Sequence, residues 1–157
     1  MSDDEDIRVD ANSIEAEAPR IIPALDDVNT PFWTGGSNGE LLISHCDRCD
    51  RWVHPPAAEC TVCGAPLVPR AVRGTGTLFA FTVNWHQYHA DVPPPYVIAI
   101  VELDEQPDLR LPTNIVRCDF EKLQCGLPVR VVFERHDHVF VPLFEPLSTE
   151  DTEDSSR

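Results

Sequence analysis

The chain has 157 residues, room for one domain or for a small module joined to one domain. Its 27 acids against 12 bases give a formal charge of −15, which disfavours nucleic-acid binding, because a nucleic-acid binder needs a basic footprint to displace counterions from phosphates. No apolar run approaches the roughly 18 residues of a membrane span, and the acidic start MSDDEDIRVD is unlike a secretory leader, so the expectation is a cytoplasmic protein without a membrane partner.

Residues 1–18 hold seven acids and one arginine, and residues 148–157 hold four acids and one arginine. Both stretches are polar, lack apolar periodicity and are expected to be disordered acidic tails. Between them, 19–44 is expected to hold a helical segment and a short strand, 45–69 a small module built on four cysteines and 70–147 a strand-rich domain. In RIIPALDDVNTPFWTGGSNG, Asp27 or Asn29 is placed to cap a short helix with Pro31 in its first turn and glycines at its end, burying Phe32 and Trp33. ELLIS then reads as a strand leading into a cysteine pair.

Cys46, Cys49, Cys60 and Cys63 form two Cys-x-x-Cys pairs with ten residues between them. Each such turn aims two sulfurs at one ion, and the connection lets the turns face each other around a tetrahedral metal. With all four positions filled by protein, the expected cofactor is structural zinc; iron suits the same thiolates but zinc is the default. Two disulfides or a redox dithiol are the weaker readings, because no secretory leader is evident and the pairs lie among Pro55, Pro56, Gly64 and Pro66 rather than at a strand end. Trp52 and Val53 are read as an apolar plug between the two turns.

From Gly74 onward strands alternate with turn residues. TLFAFTVNW alternates so as to place Phe79, Phe81, Val83 and Trp85 on one face, and YVIAIVEL is continuously apolar, as for a strand covered on both sides. RLPTNIV is a third strand and DFEKLQCG one helical turn. VRVVFER and VFVPLF form a hairpin around His136, Asp137 and His138, whose histidines read as solvated. Five short strands with a brief helix between the third and fourth match an OB-type barrel, so the fold class is mostly β: a short N-terminal helical segment, a four-cysteine zinc ribbon and a five-stranded OB barrel.

The connection after the first barrel strand carries Trp85, His86, Tyr88 and His89, followed by Asp91 and a triple proline, Pro93 to Pro95. Such a loop suits a binding surface, since prolines limit the entropy lost on ordering; the plainer reading is a hairpin loop whose aromatics pack on the barrel rim. No nucleophile sits in a recognisable elbow beside a base. Cys118 and Cys125 read as small buried thiols, and the neighbouring acids Asp104 with Glu105 and Asp119 with Glu121 as solvated turn residues. The residues alone point to a binding or scaffolding protein without a catalytic set of its own.

Residues 30–146 resemble the thiolase-associated zinc-ribbon/OB-fold family, the domain of unknown function numbered thirty-five. The resemblance rests on PFW and GEL leading to the first Cys-x-x-Cys, HPP before the second, then GTGTLFAFTVN, PYVIAIVELDE, GLPVRVVFE and PLFEP in that order. Gln106 and Pro107 depart from it where the family more often has a glycine. The resemblance implies zinc on Cys46, Cys49, Cys60 and Cys63 and a non-catalytic accessory subunit in lipid metabolism. Such a subunit docks on a thiolase-fold protein and assists acyl-CoA binding or transfer, in acyl-CoA condensation or in steroid side-chain retro-aldol cleavage. On that reading Trp33, Trp85, His86, Tyr88, His89 and Arg73 are candidates for partner or acyl-CoA contact, with Arg70, Arg110 and Arg117 as further cations for nucleotide phosphates. A nucleic-acid-binding ribbon and barrel, or a stand-alone acyl-CoA-binding protein, are the alternatives.

Overall fold

The computed structural model describes residues 12–16 and 19–148. In chain order the elements are β1 (Ser13–Glu15), α1 (Thr30–Thr34), a 3-10 turn (Gly35–Asn38), β2 (Leu41–Cys46), β3 (Arg51–Val53) and β4 (Val68–Val72). There follow β5 (Thr75–Asn84), β6 (Tyr96–Leu103), β7 (Arg110–Thr113), a second 3-10 turn (Phe120–Lys122), β8 (Pro128–His136) and β9 (Val139–Pro146). The acidic tails lie mostly outside the described residues. Within the first of them, β1 forms and pairs in parallel with β8 at Ser13 and Phe133.

Short polar contacts set up α1. Its N-cap Asn29 makes no side-chain cap bond; instead Asp26 Oδ1 accepts from the N–H groups of Val28 and Asn29 at 2.9 and 2.7 Å, and Asn29 Oδ1 accepts from the Asp26 N–H at 2.9 Å. The capping expected of Asp27 or Asn29 is thus supplied one step earlier, by an aspartate turn that satisfies amides ahead of the helix. Pro31 occupies the first turn, where its missing N–H has no intrahelical partner to lose. Phe32 is buried and Trp33 half-buried, as expected. Just beyond, a Cβ on Gly36 would lie 2.5 Å from Phe140 Cβ and 2.6 Å from Phe133 Cδ1, so only glycine lets this turn approach the barrel so closely.

Two sheets follow. The ribbon sheet has the order β3-β2-β4, antiparallel throughout. In the barrel, β6 lies between β5 and β7, while β8 pairs β5 through Pro128–Arg130, β9 along most of its length, and β1 at its far end. Between β7 and β9 the chain pairs in parallel, with Ile115 opposite Phe144, Val116 N–H donating to Phe144 O at 2.9 Å and Phe144 N–H to Asn114 O at 3.1 Å. This is the five-strand OB arrangement with a brief helical turn after the third strand. The β8–β9 turn has two residues, and Asp137 takes it with φ of 56°, a left-handed conformation that aspartate tolerates.

Two strand-face expectations change. The register of β5 against β6 shifts between Leu78 and Ala80, so Phe79 is the extra residue of a bulge. Leu78, Phe81 and Val83 face the core, while Phe79 is turned out to solvent, where the Arg110 guanidinium lies 3.7 Å from its ring centroid. In β6, Val97, Ala99, Val101 and Leu103 are buried but Ile98 is exposed: the strand is apolar on both faces and covered on one. One core cluster runs from Phe32, Leu41 and Ile43 into barrel residues such as Leu78, Val101, Phe133 and Phe144, so ribbon and barrel share an interior. Trp52 packs against this cluster and edge-on to His45, its ring 4.6 Å from that imidazole.

Candidate functional site

The end of β2 carries Cys46, the turn after it Cys49, and a second turn Cys60 and Cys63. The four sulfurs all lie within 4.8 Å of one another, with Cys46 and Cys63 Sγ at 3.5 Å. Zn–S bonds of about 2.3 Å in a tetrahedron put sulfurs roughly 3.8 Å apart, so the donor set fits the metal in number, chemistry and spacing. Each turn is built by its own amides: Cys49 N–H points at Cys46 Sγ at 3.4 Å, and Gly64 N–H donates to Cys60 O at 2.9 Å. The backbone N–H groups of Cys63 and Val62 hold the Cys60 thiol down to about 6. The crowd of sulfurs, Cys63 first, pushes Cys49 up to about 12. Four thiolates so close together call for a cation, and zinc supplies the positive charge that lets all four ionise.

A polar network fastens the first turn. The ring of buried His45 meets Asp47 Oδ1 at 2.8 Å through Nδ1 and Asp50 Oδ1 at 3.2 Å through Nε2. Arg70, on β4, donates to both oxygens of Asp47 at 2.9 and 2.7 Å. The Arg70 and His45 hydrogen bonds hold the Asp47 carboxyl far below the usual range.

The loop 85–95 is ordered by its own polar groups. Asn84 Nδ2 donates to His86 O at 2.7 Å, and Gln87 Nε2 donates to Ala90 O at 3.0 Å. Trp85 and Tyr88 are nevertheless 69% and 76% exposed, Trp85 resting edge-on against Phe120 at 5.9 Å and Tyr88 against His86 at 4.6 Å. His89 Nδ1 accepts from the Asp91 N–H at 3.3 Å.

The remaining candidates lie elsewhere. Arg73 precedes β5 whereas Trp85 follows it, a separation of roughly 30 Å of strand path; its N–H and Nε donate to Glu105 Oε1 at 2.8 and 3.3 Å. Trp33 packs beside Phe32 on α1, far along the chain from both. Arg110 pairs with Glu102 and Asp108, and Arg117 with Glu145.

Several polar residues differ from expectation. Glu105, in the β6–β7 turn, has a largely buried side chain whose Oε2 lacks a partner. His136 Nε2 donates to the buried Glu134 carboxylate at 2.6 Å, while His138 is solvated. Cys118 is half-buried, but Cys125 is exposed.

A second concavity escaped sequence reasoning. Residues 20–29 run as a strap beside the ribbon and barrel, bordering a half-open cleft of about 570 Å³ whose lining includes Phe32, Trp33, His54, Thr113 and Pro142. His54 packs on Phe32 at 5.0 Å, and its Nδ1 is buried without a partner. Burial pushes its pKa down to about 4. The one sequence signal was the HPP motif, which says nothing about what the ring faces.

Comparison with known proteins fits this architecture. Residues 33–68 match the model of the ChsH2 rubredoxin-like zinc ribbon domain, and residues 69–134 that of the ChsH2 C-terminal OB-fold domain. The chain belongs to the ChsH2 family. Among solved structures, this ChsH2-family chain is similar to one described as an Ltp2-ChsH2(DUF35) aldolase. The two are 31% identical, with a TM-score of 0.71 over 80% of this chain and 98% of that one. A DUF35-family protein of unknown function from Sulfolobus solfataricus shares the fold at 12% identity and TM-score 0.53, over 74% and 82% of the two chains. A curated relative from Thermomonospora curvata, named "Probable enoyl-CoA hydratase alpha subunit", is 33% identical over 134 residues. The alignment takes in 83% of this chain and 41% of that relative, so the chain spans about two fifths of its length. Among the described residues, no helix is long and apolar enough to cross a membrane.

Proposed function

We propose that this chain is a zinc-stabilised, non-catalytic accessory subunit of an acyl-CoA enzyme in the cytoplasm, docking on a thiolase-fold protein and assisting acyl-CoA binding or transfer. The observation that carries the reading is the 31% identity over 98% of a chain described within an Ltp2-ChsH2(DUF35) aldolase. A second relative, named for an enoyl-CoA hydratase subunit, points to the same thioester chemistry. The metal has a structural part: with four protein sulfurs it has no open position for substrate, and its binding free energy goes into folding.

Docking falls to the loop 85–95. Its frame is held by Asn84 and Gln87, while Trp85 and Tyr88 stand exposed. Preordered aromatics lose little entropy on contact, and interface energy concentrates in such side chains. His86 and His89 flank them and belong to the same contact surface. Trp33 and Arg73 lie apart from it, so acyl-CoA contact there is a separate role. Arg70, Arg73, Arg110 and Arg117 each face a carboxylate, so a nucleotide phosphate must compete with an existing ion pair. The test is which protein the chain holds when recovered from its own cells.

A further inference from the structure

We propose that the edge of β8 at Phe133–Arg135 is a strand-addition site, filled in this chain by its own β1, that accepts in place of β1 an extended segment of a partner protein with an aliphatic residue at its centre and an acid after it. The inference is independent of the accessory-subunit reading.

The edge exists because of how β8 shares its neighbours. β5 accompanies β8 only through Pro128–Arg130, with Val131 N–H donating to Gly74 O at 2.7 Å just beyond; further along, β8 has outrun β5. Phe133 lies opposite Pro142 of β9, which has no N–H to give, so the polar groups of Phe133 point away from the hairpin. The Phe133 N–H donates instead to Asn12 O at 2.8 Å. Alternation along the strand turns the Arg135 N–H the same way and those of Val132 and Glu134 toward β9. With no added strand, Phe133 and Arg135 would form an open edge, the template on which another chain pairs.

β1 defines what fits there. Its register sets Ser13, Ile14 and Glu15 in parallel beside Phe133, Glu134 and Arg135. Ile14 packs on the apolar outer face of the hairpin, made by Val132, Val139, Val141 and Leu143. Glu15 stands opposite Arg135, so the edge favours an acid after the aliphatic residue. The hold of β1 is nevertheless slight: three residues, one parallel ladder and one half-buried aliphatic side chain. A longer segment of the same pattern makes the same bonds and extends them, and β1 serves as the placeholder it displaces.

Native-state hydrogen exchange on the full zinc-loaded chain reads the release of β1 directly. The amides of Phe133 and Arg135 should exchange about tenfold faster than those of Val132 and Glu134, whose partners lie in β9. Ile14→Pro then removes the N–H that the parallel ladder needs at that position. The peptide acetyl-ANSIEA-amide, copying residues 11–16, is titrated into this variant and into the parent chain, and amide NMR shifts are recorded. Saturable binding with shifts at Phe133 and Arg135 is expected in the variant, about tenfold weaker in the parent, where β1 occupies the edge, and absent for the Ile14→Asp form of the peptide. Equal exchange of the four amides overturns the proposal even where Ile14→Pro fails to fold. So do equal binding by variant and parent, no saturation in the variant, shifts confined to the Trp85 and Tyr88 loop, or a dimer of the variant that places a second copy on this edge.

Discussion

The Gln106 side chain pairs with the backbone of Trp52 as a strand would, its Oε1 accepting from the Trp52 N–H at 2.9 Å and its Nε2 donating to Trp52 O at 3.1 Å. The edge of β3 is thereby satisfied by the β6–β7 turn of the barrel, 54 residues away in sequence. The glutamine thus has a structural use: it ties the ribbon to the barrel.

Gln106→Ala leaves both backbone groups of half-buried Trp52 without this partner. The expected cost is about 1–3 kcal/mol, read as a lower urea midpoint with zinc still bound. A midpoint equal to that of the parent chain would show that water replaces the carboxamide without loss.

Zinc removal acts first on the ribbon. Structural zinc contributes on the order of 10–16 kcal/mol to small modules, and β2, β3 and β4 offer little interior besides Leu41 and Ile43. Chelation should release one zinc per chain and strip amide protection from the ribbon sheet before the β8–β9 hairpin, and Cys63→Ser should do the same. The shared core predicts a lower barrel melting temperature as well. Uniform protection after complete metal loss would contradict this account.

Acid should weaken the fold in two windows. Burial holds His54 at about 4 against an ordinary 6.5, so the unfolded chain takes up the proton first. The stability tied to this ring is complete above pH 6.5 and is lost as pH falls toward 4. His54→Phe should flatten the melting-temperature curve across that interval. For Glu134, burial raises the carboxyl pKa, but hydrogen bonds from Arg20 and His136 outweigh it and the net shift is downward from 4.5. Its share persists above pH 4.5 and disappears below, where Glu134→Gln should leave the curve shallower. A parent-like slope in either variant would remove that group from the explanation.

Trp85→Ala and Tyr88→Ala remove exposed rings, so melting temperatures should stay near the parent value. Affinity for the partner enzyme should fall by about 2 kcal/mol at each, the size of an interface hot spot, measured by calorimetry. Unchanged affinity in both would move docking off this loop.

How far these features could be read from the sequence depended on whether they were local. Cysteine spacing located the metal because a Cys-x-x-Cys turn is a contiguous object, and YVIAIVEL matched Tyr96–Leu103 because its apolar run ends at turn residues. The face of Phe79 was misread because a bulge inserts a residue into a period-two pattern without any mark in composition. The solvation of Glu105 was misread because its partner is set by tertiary approach, Arg73 meeting it from a separate strand end; His136 pairs with Glu134 only two residues away, and what the sequence does not mark is the burial of that carboxylate beneath the strap's Arg20. The cleft was invisible for the same reason, since Arg20, Trp33, His54, Asn114 and Pro142 come together only when ribbon, strap and barrel share one core.

The most direct test of the accessory-subunit account is to recover the tagged chain from its own cells and measure, in one sample, its metal content and its stoichiometric partners by native mass spectrometry. The account predicts one zinc per chain and a thiolase-fold acyl-CoA enzyme at near-equal amount. Zinc-loaded chain recovered alone, or together with nucleic acid, would contradict it.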